Sequence, residues 1–143
     1  MKEKLNSTVK KRESYRPYAP AIAVEIAEKY FGQDIRRAIE NKSHPLYYMT
    51  SVVKAPKKSR IKYPSAVHFD MTARIQLLDK GLNPLMHSLS LAMEDSYGCG
   101  ILLNTSLNLG YEALVGDPKS AVTTFSWTNF DSALFGDFAI ELK

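Results

Sequence analysis

The sequence predicts an α/β fold, and three observations carry that reading. Short runs rich in β-branched and aromatic residues alternate along the chain with stretches of helical period. Proline-led helix starts occur twice, at Asn83-Pro84 and at Asp117-Pro118. The composition, 45% hydrophobic and 24% charged over 143 residues, is that of a single globular domain over residues 1–143 with enough chain to bury a core. Strands mixed with helices at this spacing give a layered structure on a mixed sheet with flanking helices.

Taken in order, the Arg16-Pro17 to Pro20 corner leads into Ile22, Ile26 and Tyr30, which are spaced by four. That spacing predicts a helix over residues 20–31, closed by Gly32. Residues 34–40 add a turn or two. After His44-Pro45, residues 46–54 read as a strand, and the basic segment Lys54–Lys62 reads as an exposed loop. Residues 65–69 and 72–78 form two further extended runs. Asn83 caps a helix that Gly98 ends, with Leu85, Leu89 and Ala92 or Met93 as its buried stripe. Residues 101–103 form a short buried strand and residues 111–115 another. Asp117 caps a helix reaching about Trp127, and residues 132–135 and 138–142 make two strands around Gly136-Asp137. Trp127 and Phe125, Phe130, Phe135 and Phe138 are expected in the core. So is the lone Cys99, as a buried thiol.

Charge is unevenly spread. Residues 1–62 hold 15 basic and 6 acidic side chains, 15 − 6 = +9, whereas residues 63–143 hold 4 and 9, 4 − 9 = −5. The basic half suits phosphates, nucleic acid or an acidic partner surface, and it equally suits a solvated face. One cysteine excludes an intramolecular disulfide and a multi-cysteine zinc site. No segment reaches the ~20 apolar residues of a membrane span, and the polar start MKEKLNSTVKKRES has no signal-like stretch. The expectation is a soluble, cytoplasmic protein.

Three segments carry candidate chemistry. In the first, Lys10 and Arg12 share a face if extended and form a phosphate clamp, with Arg16 close by; the alternative is a frayed basic terminus. In the second, His68, Asp70, Thr72, Arg74 and Gln76 alternate on one face of a continuous strand. His68 and Asp70 are either linked by a hydrogen bond or are two of the ligands a metal would need. In the third, Asn104, Ser106 and Asn108 follow an apolar strand, where short polar groups hold phosphate or ribose oxygens or simply build a turn. No glycine-rich nucleotide loop and no Ser–His–Asp spacing is found.

In this order the segments resemble the C-terminal domain of the carbamoyltransferases of nodulation and antibiotic tailoring, the NodU/CmcH family. The family runs K-x-R-E-x-x-R-P-x-A-P, H-x-D-x-T-x-R-x-Q, N-T-S-x-N and D-x-L-x-x-G-D/N-F. Here these are Lys10–Pro20, His68–Gln76, Asn104–Asn108 and Asp131–Phe138. The resemblance implies a YrdC-like domain, a twisted open α/β sheet, in which carbamoyl phosphate and ATP, with its Mg2+, give carbamoyl adenylate and pyrophosphate. It implies that Arg12 and Arg74 hold carbamoyl phosphate, that Lys10 neutralises nucleotide phosphates, and that Asn104 and Ser106 orient the reacting oxygens. Arg16, His68, Asp70, Thr72 and Asn108 are the remaining implied binding residues, and no tightly bound metal is implied. Full-length members place an actin-like ATPase domain ahead of this one, so a partner domain or subunit is expected, with a homodimer as a further arrangement. The competing readings are an RNA- or anion-binding module without catalysis and an inactive remnant. Met71 stands where the family usually has Gly, Leu107 where it usually has Phe, and residues 109–115 depart loosely from a Gly-Glu-Pro-Ile-Val segment. Should position 71 require positive φ, a side chain there is unfavourable.

Overall fold

The computed structural model describes residues 2–128 and 130–141. Its contacts divide the chain into two compact units, Pro17–Thr105 and the pair of segments Met1–Arg16 and Ser106–Lys143.

The larger unit is built on β1 (Ala19–Ala23), every residue of which is buried. β1 runs parallel to β4 (Gln76–Leu78) and antiparallel to β5 (Leu102–Asn104), so the sheet is mixed and open, in the order β4-β1-β5. The expected helix over residues 20–31 is therefore half right. The chain is a strand to Ala23 and then α2 (Val24–Phe31), ending at Gly32. A strand covered on both faces shows no alternation, and the four-residue spacing of Ile22, Ile26 and Tyr30 bridged the junction. Ala27, Tyr30 and Phe31 of α2 enter a core with Ile22, Ile35, Leu46, Val67, Ile75 and Leu77. Residues 33–39 add a 3-10 turn and the short helix α3 (Arg36–Ile39), as expected.

The strand expected over residues 46–54 is a 3-10 turn, Pro45–Tyr48, followed by a two-residue β2 (Val53–Lys54). The expected basic loop contains α4 (Lys57–Lys62). Its inward residue is Ser59, whose hydroxyl donates to the Tyr30 carbonyl, so no apolar period announces it. The extended run over residues 72–78 is broken. β3 (Thr72–Ala73) pairs with β2 in a separate two-stranded sheet, and only β4 joins β1. Residues 65–69 form turns instead of a strand.

α5 (Pro84–Tyr97) starts on Asn83, whose side chain accepts from the Met86 N–H, and stops at Gly98 in the left-handed region. Its inner face is not the expected apolar stripe. His87 and Ser90 are buried, while Leu85 is 65% exposed and Leu89 and Ala92 are exposed too. The small Ser90 hydroxyl accepts from the Ala23 N–H at 2.9 Å and donates to the Gly100 carbonyl at 2.7 Å. His87 Nε2 meets the Glu25 carboxylate at 2.9 Å. Satisfied polar groups can thus take the inner face of a helix, a case that apolar periodicity cannot detect.

The second unit opens with α1 (Lys2–Lys4), which continues as a π-helical turn over Leu5–Lys10. α6 (Pro118–Ser126) is capped by Asp117, which accepts from the Ser120 N–H at 2.9 Å, and it buries Ala121, Thr124 and Phe125. β6 (Ser132–Phe135) and β7 (Phe138–Glu141) form an antiparallel hairpin; the expected last strand residue, Leu142, lies outside the described residues. Phe125 meets Phe135 edge-on at 6.1 Å. Trp127 and Phe138, expected in the core, are 74% and 75% exposed. Cys99 of the larger unit is half-buried instead of buried. Residues 111–115 are a loop, because Glu112 is engaged with the turn before it: its backbone carbonyl accepts from Asn108 Nδ2 and its carboxylate from the Leu109 N–H. No helix among the described residues is long and apolar enough to cross a membrane.

Candidate functional site

Lys10 ends the π-helical turn and is only 6% exposed. Its ammonium donates to Ser106 Oγ at 3.1 Å, Asn108 Oδ1 at 2.7 Å, the Asn108 carbonyl at 3.0 Å and the Ser106 carbonyl. Ser106 Oγ in turn donates to Asn108 Oδ1 at 2.6 Å. The first and third sequence segments thus meet across almost a hundred residues. All four acceptors are neutral. Burial, and after it the positive charge of Arg12, hold the Lys10 ammonium below the ordinary lysine range. Lys10, a buried cation with a second cation beside it and no carboxylate partner of its own among the described residues, is in an environment that favours an anion.

Two residues that sequence reasoning gave no role build this cluster. Asn6, almost wholly buried, accepts from Arg12 Nε at 2.9 Å through its side-chain oxygen. Its amide nitrogen donates to the carbonyls of Glu13, Ser14 and Arg16. It therefore fixes both the Arg12 guanidinium and the loop after it. Gly110 lies against the Lys10 backbone so closely that a Cβ there would stand 1.7 Å from the Lys10 carbonyl oxygen. The only signal for Gly110 was its place just after the Asn104–Asn108 segment; Asn6 offered none. Arg16 is exposed and meets Glu13 at 3.8 Å.

In the larger unit His68, Asp70 and Thr72 share one turn. Thr72 Oγ1 donates to Asp70 Oδ1 at 2.7 Å and pairs with His68 Nδ1 at 2.8 Å. The expected His–Asp link therefore runs through Thr72. Hydrogen bonds from the Thr72 hydroxyl and N–H hold Asp70 below the ordinary aspartate range. The His68 and Thr72 backbones bond at 2.7 Å, and the Met71 N–H reaches the His68 carbonyl at 3.2 Å. This is the pattern of a three-residue connection whose last position is left-handed, and Met71 has φ of +64°. Glycine adopts that conformation freely, whereas a side chain costs roughly 1–2 kcal/mol.

Arg74 falls between β3 and β4, so the shared-face alternation over residues 68–76 does not hold. It is exposed, and among the described residues it makes no ion pair or hydrogen bond. Asn104 closes β5 and donates from Nδ2 to Gln76 Oε1 at 2.7 Å. No group of three or more His, Cys, Asp or Glu among the described residues is placed to hold a metal ion.

The family model described as carbamoyltransferase C-terminus matches residues 1–142. The chain belongs to the carbamoyltransferase C-terminal family. It is 33% identical over 142 residues to the nodulation protein NolNO of Sinorhizobium fredii, covering 99% of this chain and 20% of that protein. It is 31% identical over 136 residues to the 3'-hydroxymethylcephem-O-carbamoyltransferase of Streptomyces clavuligerus, covering 95% of this chain and 24% of that enzyme. A Methanocaldococcus jannaschii protein called MJ1058 is 32% identical over 142 residues, covering 99% and 22%. The chain thus spans about a fifth to a quarter of the length of the curated relatives it matches.

Proposed function

We propose that this member of the family activates the carbamoyl group for an O-carbamoyltransferase, turning carbamoyl phosphate and ATP into carbamoyl adenylate. The observation that carries this is the Lys10–Arg12 pair, buried or half-buried, held by Ser106, Asn108 and Asn6, with no carboxylate on Lys10 among the described residues. Forming the mixed anhydride joins a carbamoyl oxygen to the α-phosphorus of ATP as pyrophosphate leaves. The phosphate of carbamoyl phosphate departs as inorganic phosphate, with one water consumed. Such transfers need positioned cations and hydrogen-bond donors more than covalent help. In the smaller unit Arg12 would bind oxyanions directly. Lys10, whose protons are engaged by the Ser106–Asn108 turn, would set that turn and add its charge. In the larger unit the uncommitted Arg74 would grip an oxyanion and Asn104 would orient the carbamoyl group at its reacting carbon, with His68, Asp70 and Thr72 as further binding groups. Mg2+ would arrive as the counter-ion of ATP, and the reaction would take place in the cytoplasm.

Transfer to an acceptor would need the remaining length that the relatives possess, proposed here as an actin-like ATPase domain or subunit. Carbamoyl adenylate is a reactive anhydride and persists only where water is excluded. The test follows pyrophosphate and phosphate release from the purified chain. Release that requires ATP and carbamoyl phosphate together, with no carbamoylated product, is the expected result. Failure of the chain to bind carbamoyl phosphate in calorimetry overturns the proposal.

A second reading, nucleic-acid binding, is favoured by Lys54, Lys57, Lys58 and Lys62, which are exposed on and before α4 with no ion pair among the described residues. Binding whose logarithm falls with log salt at about −0.7 per phosphate contact marks that alternative.

A further inference from the structure

The larger unit contains a cleft of about 340 Å3 on the face of the three-stranded sheet, lined in part by Ala21, Gln76, Asn83, Leu102, Asn104 and Thr105. None of the residues lining it is charged. The strand register explains its shape. Ala21 of the central strand stands opposite Gln76 on one side and Leu102 on the other, while Ala19 stands opposite Asn104. Directly paired residues share a face, so the small Ala21 lies at the floor and the two longer amides of Gln76 and Asn104 rise beside it. Asn104 Nδ2 bridges the gap to Gln76 Oε1 at 2.7 Å, and its other hydrogen faces Met49 Sδ at 3.4 Å.

That bridge leaves a defined inventory. Gln76 keeps both hydrogens of Nε2, and Asn104 keeps Oδ1, with no protein partner among the described residues. Neither atom is buried without a partner, so both are open to solvent. Exchanging which amide donates to the other leaves the same pair, one amino group and one carbonyl. A flat ligand group that presents an acceptor and a donor side by side satisfies both. A phosphate offers acceptors alone, and this cleft offers it no cation.

We propose that the Gln76–Asn104 amide pair is a subsite for the planar carbamoyl group, an amino group and a carbonyl on one carbon, by which the protein distinguishes it from an acyl group of similar size; this rests on the activating role proposed above. The carbonyl oxygen accepts from Gln76 and the amino group donates to Asn104. An acetyl group has a methyl where the carbamoyl group has its amino group, so it leaves the Asn104 oxygen unmatched, and a site built for hydrogen bonds rejects such an analogue strongly.

The test compares carbamoyl phosphate with acetyl phosphate by calorimetry on the wild-type chain and on Asn104→Leu, which is close in volume and has no hydrogen-bonding amide, so that the acceptor for the amino group is removed. Wild type is expected to prefer carbamoyl phosphate by about 10-fold or more, the scale of one hydrogen bond. The variant, with an unchanged melting temperature, is expected to bind the two about equally. Carbamoyl phosphate is also expected to shift the side-chain amide resonances of Gln76 and Asn104 in a nitrogen-15 spectrum, while acetyl phosphate shifts them less. A folded Asn104→Leu that keeps the wild-type preference overturns the subsite, as does a wild type that binds both ligands equally. Loss of adenosine affinity in Asn104→Leu with the carbamoyl preference intact also overturns it, by assigning the cleft to a nucleobase. A wild type that binds neither acyl phosphate overturns the activating role itself.

Discussion

Lys10 and Arg74 both lie in family motifs and both are cations, yet their surroundings are opposite. Lys10 is buried and its ammonium is spent on four neutral acceptors of the Ser106–Asn108 turn, whereas Arg74 is exposed and uncommitted among the described residues. One charge serves the architecture of its loop and the other is available to a ligand. A motif residue therefore has no role that follows from its charge alone: burial and partners decide whether removing it costs stability or affinity.

The largest expected effect tests the architectural side. Gly110→Ala places a Cβ into the Lys10 carbonyl, where backbone has to move, and is expected to cost about 3 kcal/mol or more. The melting temperature of the variant measures it, and an unchanged value would mean that the approach of Gly110 to Lys10 is not held in solution. Lys10→Met removes the ammonium and leaves the turn carbonyls and the two side chains without their donor. A loss of about 2 kcal/mol in stability is expected, with ligand affinity falling as a consequence of the disordered turn. Denaturant unfolding of the variant checks it, and an unchanged midpoint would mean that the turn holds without the ammonium.

Arg74→Lys probes the opposite case. The planar fork becomes a point charge, so carbamoyl phosphate affinity is expected to fall about 10- to 100-fold with little change in melting temperature. Unchanged affinity, or a lowered melting temperature, would place Arg74 with Lys10 as an architectural residue. The smallest effect has the opposite sign. Met71→Gly relieves a left-handed backbone and is expected to stabilise by up to about 1 kcal/mol, with the gain reduced by the looser unfolded chain. Destabilisation would mean that the Met71 side chain, whose sulfur is 3.7 Å from the Arg60 guanidinium, contributes more than its backbone costs.

Much of the local structure was legible because its signals are local. Asn83-Pro84 and Gly98 delimit α5, Asp117-Pro118 starts α6, and Gly136-Asp137 turns the final hairpin, each through a cap or turn that a few adjacent residues supply. The turn joining His68, Asp70 and Thr72 was not legible in this way, because the alternation of its residues reads as an extended strand. The other failures occurred where partners are distant. β1 read as helix because its burial comes from β4 and β5, and α5 read inside out because Ser90 and His87 find their partners on other elements.

By itself the sequence determined the α/β class, the motif order that marks the family, and the helix ends that carry their own caps. Tertiary structure alone decided that Lys10 is consumed by the Ser106–Asn108 turn, that Arg74 leaves the strand, and that Gln76 and Asn104 form a pair across Ala21. A cap needs only neighbours within one turn of chain. The partner of a buried cation or of a cross-sheet amide is fixed by strand register and packing over tens of residues, which no local pattern encodes.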